Sequence, residues 1–308
     1  MKKLFILIIF SWLIFVIPIS ALEVKDKDQT LNVSSYIQAR YTVDSSRTDQ
    51  FTIPRLRSDI WGEAGERLGY LVELDAVTSP AVIYGWIDIK PNKNTKLRVG
   101  RFYYPFGLEY TTPPSKFDTI NPTLTLWNLF GYSRDSGVQL SQEFETFKYA
   151  LALVNGADNQ AVDDNESKDL FGRWVLKRSK DLKVGLSFQT GAAGTLETAR
   201  QRLGAELDYK LGPFGLKAEY IRAYDNNVKK WGWYVQPSLF LSSALQGLWR
   251  FEYWDPNTQA TGDLSTVSTL GINAFFEKNL KFQVNYEFKR EEVEISNDAL
   301  LFQLQLEI

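Results

Sequence analysis

The chain has 308 residues, a formal net charge of −2 and an aromatic content of 14%. It holds no cysteine and no histidine, which removes disulfide scaffolds, the commonest metal ligand and the usual general base together. Lys and Arg number 35 against 37 Asp and Glu, so no basic excess points to nucleic acid.

The first 21 residues read as a secretory signal. Lys2 and Lys3 make a positive start, Leu4 to Ile17 is an apolar run broken at Ser11, and Pro18 to Ala21 offers small residues for cleavage. A retained membrane anchor is the alternative reading of the same run. Cleavage after Ala21 removes two lysines and leaves 33 basic against 37 acidic residues, a net charge of −4.

Beyond residue 30 the dominant period is two. In "LKFQVNYEF", Leu280, Phe282, Val284, Tyr286 and Phe288 share one face, and Lys281, Gln283, Asn285 and Glu287 share the other. A helix would scramble both faces, so the alternation predicts a strand. Sixteen such segments are predicted. They start near Leu31, Phe51, Glu66, Ala81, Thr95, Tyr132, Phe147, Lys168, Asp181, Ala199, Phe214, Val228, Ala244, Leu264, Leu280 and Ala299. Segments of about nine to eleven residues are long enough to cross a bilayer at a tilt.

Short connections ("AGE" at 64–66, "PNKN" at 91–94) alternate with longer polar ones ("DSSRTDQ" at 44–50, "NGADNQAVDDNE" at 155–166, "DPNTQATGD" at 255–263). No stretch after the signal approaches 18 apolar residues, which argues against membrane helices. A soluble β-sandwich also alternates, but it would need a core between two sheets. A single sheet closed on itself, polar inside and apolar outside, satisfies every strand edge. The predicted fold is all-β, a transmembrane antiparallel barrel of about 16 strands spanning residues 22–308.

One segment breaks the pattern. Residues 103–131 carry Pro105, Pro113, Pro114 and Pro122, which cannot join a ladder, and the apolar "LTLWNLF" at Leu124 to Phe130. A long strand-free connection with surface to bury is predicted to fold inward and narrow the lumen.

The flank of this segment carries a resemblance. Gly100-Arg101-Phe102-Tyr103-Tyr104-Pro105-Phe106-Gly107-Leu108-Glu109 resembles the strand-ending segment of the phosphate-selective porin O and P family. "WIDIKPNKNTKLRVG" (Trp86 to Gly100) and "RDSGVQL" (Arg134 to Leu140) are similar to its neighbouring strands. The resemblance implies a sixteen-stranded outer-membrane channel, usually a homotrimer, that passes small solutes or ions. The family's lysine cluster is reduced here to Lys116, and its C-terminal Phe is replaced by Ile308. The last strand, Leu300 to Ile308, keeps the alternation read by the barrel-insertion machinery.

Residues opposite the apolar faces, among them Arg55, Arg57, Asp59, Glu73, Arg250 and Glu252, are predicted to line the interior. Their mixed signs on neighbouring strands predict charge ladders that brace the wall. The candidate constriction or solute-binding residues are Arg98, Arg101, Glu109, Lys116, Arg134 and Asp135. Arg101 and Arg134 are expected to flank the narrowest point and favour anions by local field. Tyr41, Trp61, Tyr84, Trp174, Trp231, Trp233, Trp249, Tyr253 and Trp254 are read as an interfacial girdle, with a sugar-stacking slide as the rival.

No cofactor or structural metal is implied. Asp163, Asp164 and Glu166 could hold Ca²⁺ but read as a solvated external loop. The leading function is a non-enzymatic diffusion channel in the outer membrane of a Gram-negative-type bacterium, with lipid as its surroundings. The alternatives are a plugged structural or adhesive barrel, and a hydrolase working without histidine.

Overall fold

The computed structural model describes residues 22–159, 162–163, 165–293 and 295–308. The segment read as a signal, and Asp164 of the acidic loop, lie outside the described residues. The strands are β1 (Leu22–Asp26), β2 (Gln29–Asp44), β3 (Gln50–Ala64), β4 (Leu68–Asp75), β5 (Val82–Asn92) and β6 (Thr95–Phe102). After the 103–134 segment come β7 (Asp135–Glu143), β8 (Phe147–Val154), β9 (Asp169–Lys177), β10 (Leu182–Ala193), β11 (Thr198–Leu211) and β12 (Phe214–Asp225). The last five are β13 (Val228–Ser242), β14 (Leu245–Asp255), β15 (Ser265–Phe276), β16 (Leu280–Glu291) and β17 (Ala299–Glu307). Strands β2 to β17 are the sixteen expected, and no start is displaced from its predicted position by more than three residues.

Each strand pairs antiparallel with its sequence neighbour, and β17 pairs with β2 from Ala299↔Asp44 to Glu307↔Tyr36. The sheet is therefore a closed 16-stranded barrel without an open edge in its wall. The extra strand, β1, pairs with the first residues of β2, from Leu22↔Val33 to Asp26↔Gln29. It uses the same edge of β2 as β17, immediately beyond it. There Ile308 exchanges both backbone hydrogen bonds with Ser35, at 2.9 and 2.7 Å.

Burial is inverted relative to a water-soluble fold. On β16, Lys281, Gln283, Asn285 and Glu287 are 9%, 1%, 0% and 3% exposed, and the apolar residues between them face outward. Leu186, Leu203, Leu270 and Ile272 are more than half exposed, on strands whose polar neighbours are buried. Such a wall is stable only where its outside meets hydrocarbon and its inside is wet or paired. Among the described residues no helix is long and apolar enough to cross a membrane, which says nothing of a barrel that would cross with its strands. Leu203→Arg, near the middle of β11, is expected to cost about 2–4 kcal/mol. Urea unfolding of the barrel in lipid vesicles measures it.

Connections at one end are short: 65–67, 93–94, 144–146, 178–181, 212–213, 243–244 and 277–279. Those at the other include 76–81, 155–168, 256–264 and 292–298. The residues 194–197 and 226–227 are exceptions, because β10 to β13 extend their ladders further than the alternation indicated.

Parity corrects two members of the aromatic girdle. Trp254 shares the inward face of β14 with Arg250 and Glu252 and is 5% exposed. Tyr84 shares the inward face of β5 with Asp88 and is bonded through its hydroxyl to Glu73. Trp61, Trp174 and Trp249 face outward, more than 40% exposed, as a girdle requires.

Candidate functional site: a lumen narrowed by an inserted segment

Residues 103–134 leave the wall after β6 and return at β7. The ladder ends at Phe102↔Asp135, Pro105 cannot resume it, and Gly107 turns the chain at φ 65°, a left-handed conformation open to glycine. A 3-10 turn forms at Pro114–Lys116, and the apolar run becomes helix α1 (Leu124–Phe130). Thr123 caps α1 by accepting from the Leu126 N–H, and Gly131 closes it in the left-handed region.

The segment buries its apolar side against an inner wall that turns apolar to receive it. Phe102, Tyr104, Phe106, Tyr110, Leu126, Leu129 and Phe130 pack on Ala152, Val154, Phe171, Ile221, Ala223 and Trp254. Tyr104 stacks on Phe171 with ring centres 4.2 Å apart. Ile120 makes a second contact with Ala299 and Leu301.

Polar contacts then fix its backbone. Glu219 on β12 accepts from the Leu108 and Glu109 N–H groups at 2.9 and 3.2 Å. Glu252 on β14 accepts from Leu124 N–H at 2.7 Å, and Asn285 on β16 accepts from Ile120 N–H at 2.7 Å. Lys281 donates to the carbonyls of Ser115 and Phe117, and Lys217 pairs with Asp118 at 2.6 Å. Arg250, 1% exposed, pairs with Glu252 at 2.7 Å and Glu109 at 3.4 Å and donates to Thr119 and the Asn121 carbonyl. The segment is thereby fastened over β10 to β17, and several of its carbonyls and N–H groups are satisfied by strand side chains.

Beside the segment the lumen holds a chamber of about 1340 Å³ along β2 to β9. The turn residues Pro91 to Asn94 and Glu66 and Arg67 line it, so it opens at the short-turn end. At its inner limit the segment reaches across to the opposite wall. The Arg55 guanidinium on β3 lies 5.8 Å from the centre of the Tyr132 ring, and Arg40 on β2 donates to the Asn121 side-chain oxygen at 3.0 Å, while Tyr103 meets Tyr84 of the adjacent strand β5 edge-on at 5.3 Å.

The six residues singled out from sequence occupy four different settings. Arg98 and Lys116 line the chamber. Arg98 forks onto Asp88 at 2.8 and 2.9 Å and lies 3.8 Å above Trp86, and Lys116 pairs with Glu307 at 2.6 Å. Arg134 stands at the narrowing, its guanidinium donating to the Tyr103 hydroxyl at 2.8 Å and lying 4.8 Å above that ring.

Glu109 and Asp135 are buried and turned to structure. Glu109 accepts from the Thr123 N–H and hydroxyl; burial raises its carboxyl above the ordinary range, and Arg250 and Thr123 pull it back. Asp135 accepts from the Gly156 and Ala157 N–H groups at 2.6 and 3.0 Å, tying the long connection after β8 to the base of the segment.

Arg101 differs from expectation. It has the outward parity of Leu97 and Val99 on β6, opposite Gly85 and Ser136, whereas Lys96 and Arg98 face the lumen. The wall residues that complete the narrowing, Tyr36, Tyr84 and Trp86, were not among the six. Their even positions, in step with Arg40 on β2 and with Asp88 on β5, were the available signal.

The charge ladders read as bracing are present. Arg57 spans Glu73 and Asp75, both at 2.9 Å, Arg173 reaches Glu206 at 2.5 Å, and Arg200 reaches Asp169 at 2.7 Å. Among the described residues no cluster of three metal-ligating side chains forms, and Asp163 pairs with Lys168 at 2.7 Å.

A family described as "Putative beta-barrel porin-2, OmpL-like" matches residues 72–296. No curated protein matches the chain in sequence. Among solved structures, it is similar to a loop L8 deletion mutant of OmpT, an outer membrane protein of Vibrio cholerae. The TM-score is 0.73 at 12% identity, covering 92% of this chain and 100% of that one. An anion-selective porin from Comamonas acidovorans gives 0.69 at 12% identity, covering 91% of this chain and 100% of that one. The in-vitro folded trimer form of Vibrio cholerae OmpT gives 0.69 at 11%, again with 92% and 100% coverage. At these identities the likeness is one of fold.

Proposed function

Since the chain belongs to the OmpL-like β-barrel porin-2 family, we propose that it is a passive diffusion channel for small hydrophilic solutes or ions in a Gram-negative-type outer membrane. The observation that carries this reading is the chamber left beside the inserted segment. A barrel meant only to be solid would fill its interior, whereas here about 1340 Å³ stays open to one side. Surrounding lipid, delivery by the barrel-insertion machinery and assembly as a homotrimer belong to the same proposal. The trimer form of OmpT supports the last of these.

The finer reading is a modest anion bias, of the kind suggested by the likeness of residues 100–109 and 134–140 to phosphate-selective porins. Two cations support it. Arg55 bonds to Gln38 at 2.9 Å and Arg134 to Tyr103, and neither has a carboxylate partner among the described ion pairs. A guanidinium at a narrow point acts through its local field, whatever the net charge. Arg134→Ala and Arg55→Ala are each expected to lower the anion-to-cation permeability ratio about two- to threefold, read from reversal potentials in a salt gradient. Arg101→Ala, on the outward face, is the contrast. Unchanged potentials in both lumen variants would sink the bias.

The plugged barrel is the second reading, favoured by the contacts of the segment with β2 and β3, where Arg40 donates to Asn121 at 3.0 Å and Arg55 lies 5.8 Å from the centre of the Tyr132 ring. Absence of single-channel steps from the purified protein in planar bilayers would select it.

A further inference from the structure

We infer that the chamber at the short-turn end is a subsite for a neutral carbohydrate, a reading that rests on the channel proposed above and names its solute class. Five aromatic side chains line the chamber as one connected series. Trp86 stacks on Tyr84 at 5.1 Å and 14°, and Tyr84 meets Tyr103 at 5.3 Å. Tyr103 meets Tyr110 at 5.5 Å, and Tyr110 stacks on Tyr104 at 5.7 Å. Tyr84, Tyr104 and Tyr110 are buried behind the surface, while Trp86 and Tyr103 are half-buried: Trp86 lies between Tyr84 and the Arg98 guanidinium with its edge toward the chamber, and Tyr103 carries the Arg134 guanidinium over one face. The series runs from the wall strand β5 onto the inserted segment, from the chamber toward its narrow end.

Apart from Arg134 over the Tyr103 ring at the narrow end, several charges beside these rings are spent on one another. Arg98 is forked onto Asp88, Arg173 onto Glu206, Lys90 is paired with Glu63, and Lys116 with Glu307. A paired fork keeps lone pairs and N–H groups for hydrogen bonding but offers little net field to an ionic solute. Uncharged groups extend the polar surface. Gln142 donates to the Thr95 hydroxyl at 2.8 Å and accepts from the Tyr149 hydroxyl at 2.5 Å.

A sugar ring has the complementary chemistry, with flat C–H faces for aromatic rings and a rim of hydroxyls for planar polar groups. An apolar solute would leave the paired charges unsolvated, and an ion would gain little from charges already neutralised. The chamber exceeds the roughly 300–1,000 Å³ of an ordinary small-molecule pocket, which leaves room for more than one sugar unit.

The test is current block in planar bilayers carrying the purified chain, with maltotriose added on the short-turn side. Polyethylene glycol of similar size is the non-stacking control. Maltotriose is expected to reduce conductance with half-block at millimolar concentration, and the glycol to need about tenfold more. Trp86→Ala and Tyr103→Leu are each expected to raise the maltotriose half-block concentration about tenfold. Equal block by sugar and glycol in the unaltered chain overturns the subsite without any variant having to fold. So does an unchanged half-block in folded variants.

Tryptophan fluorescence of the detergent-solubilised barrel separates the two readings. Channel steps with no sugar block and no fluorescence change overturn the subsite and leave the channel. A saturable maltotriose response that is lost in Trp86→Phe, in a protein without channel steps, keeps the subsite and overturns the channel.

Discussion

Gly107→Val is expected to raise single-channel conductance about twofold or more, because it lifts the inserted segment from the wall. Two effects act together at this position. Its φ of 65° is the left-handed region, which costs a residue with a side chain roughly 1–2 kcal/mol, and more for a β-branched one. A Cβ here would also lie 2.0 Å from Oε1 of Glu219. That oxygen is the acceptor for Leu108 N–H, so the clash falls on the group that holds the turn. The carboxylate has to withdraw, and the two N–H groups it serves are left buried and unpaired, at about 1–3 kcal/mol for such a group. Gly212→Val is the control. It has the same sign of φ, 56°, in a short turn, with nothing within 4 Å of the added Cβ. Equal conductance changes in the two variants would show that the wall contact at Glu219 does not hold the segment.

Arg250→Ala is expected to be the most destabilising single change inside the barrel, at about 3–5 kcal/mol. The guanidinium is the cation between Glu109 and Glu252, and both of those carboxylates hold backbone N–H groups at the start of helix α1. Truncation leaves two buried acids without their cation and frees the carbonyl of Asn121 and the hydroxyl of Thr119 from their donor. The loss should appear as a lowered unfolding midpoint and as faster amide exchange at Thr123 and Leu124. Replacing the whole cluster, as Arg250→Met with Glu109→Gln and Glu252→Gln, is expected to restore much of the midpoint, since the penalty comes from unpaired charge. A single variant as stable as the unaltered chain would mean that the cluster is not what fastens the segment.

The wall was legible because each strand repeats one instruction every second residue. Leu280 to Phe288 states it nine times, and β16 starts at the residue where the alternation starts. Boundaries moved where the alternation fades into polar turns, as at Asp135, three residues after the predicted Tyr132. β1 escaped notice because "LEVKD" is too short to display a period.

The inserted segment was legible in outline, since four prolines and an apolar run leave few other choices. Its internal helix was missed, although Thr123 and Gly131 stand at its two ends as caps. Its seat was harder to read, because the partners lie more than 100 residues away in sequence, as Glu219 does from Leu108. A signal existed there too. The inward positions of β8, β9, β12 and β14 turn apolar at Ala152, Val154, Phe171, Ile221, Ala223 and Trp254, where a water-filled wall would stay polar. Strict parity would likewise have moved Arg101 to the outer face and Tyr84 and Trp254 to the inner one.

The arrangement of β1 and β17 along β2 makes the wall a ring with a nick in it. Ile308 pairs with Ser35 and Leu22 with Val33, so the two strands lie head to tail, about 7 Å apart along a shared neighbour. The rungs on one side of that gap are made by Leu22–Asp26 and those on the other by Ala299–Ile308. Chain order is then a property of synthesis, and the wall itself records only which strands are adjacent. A barrel of this kind has a circumference but no first strand.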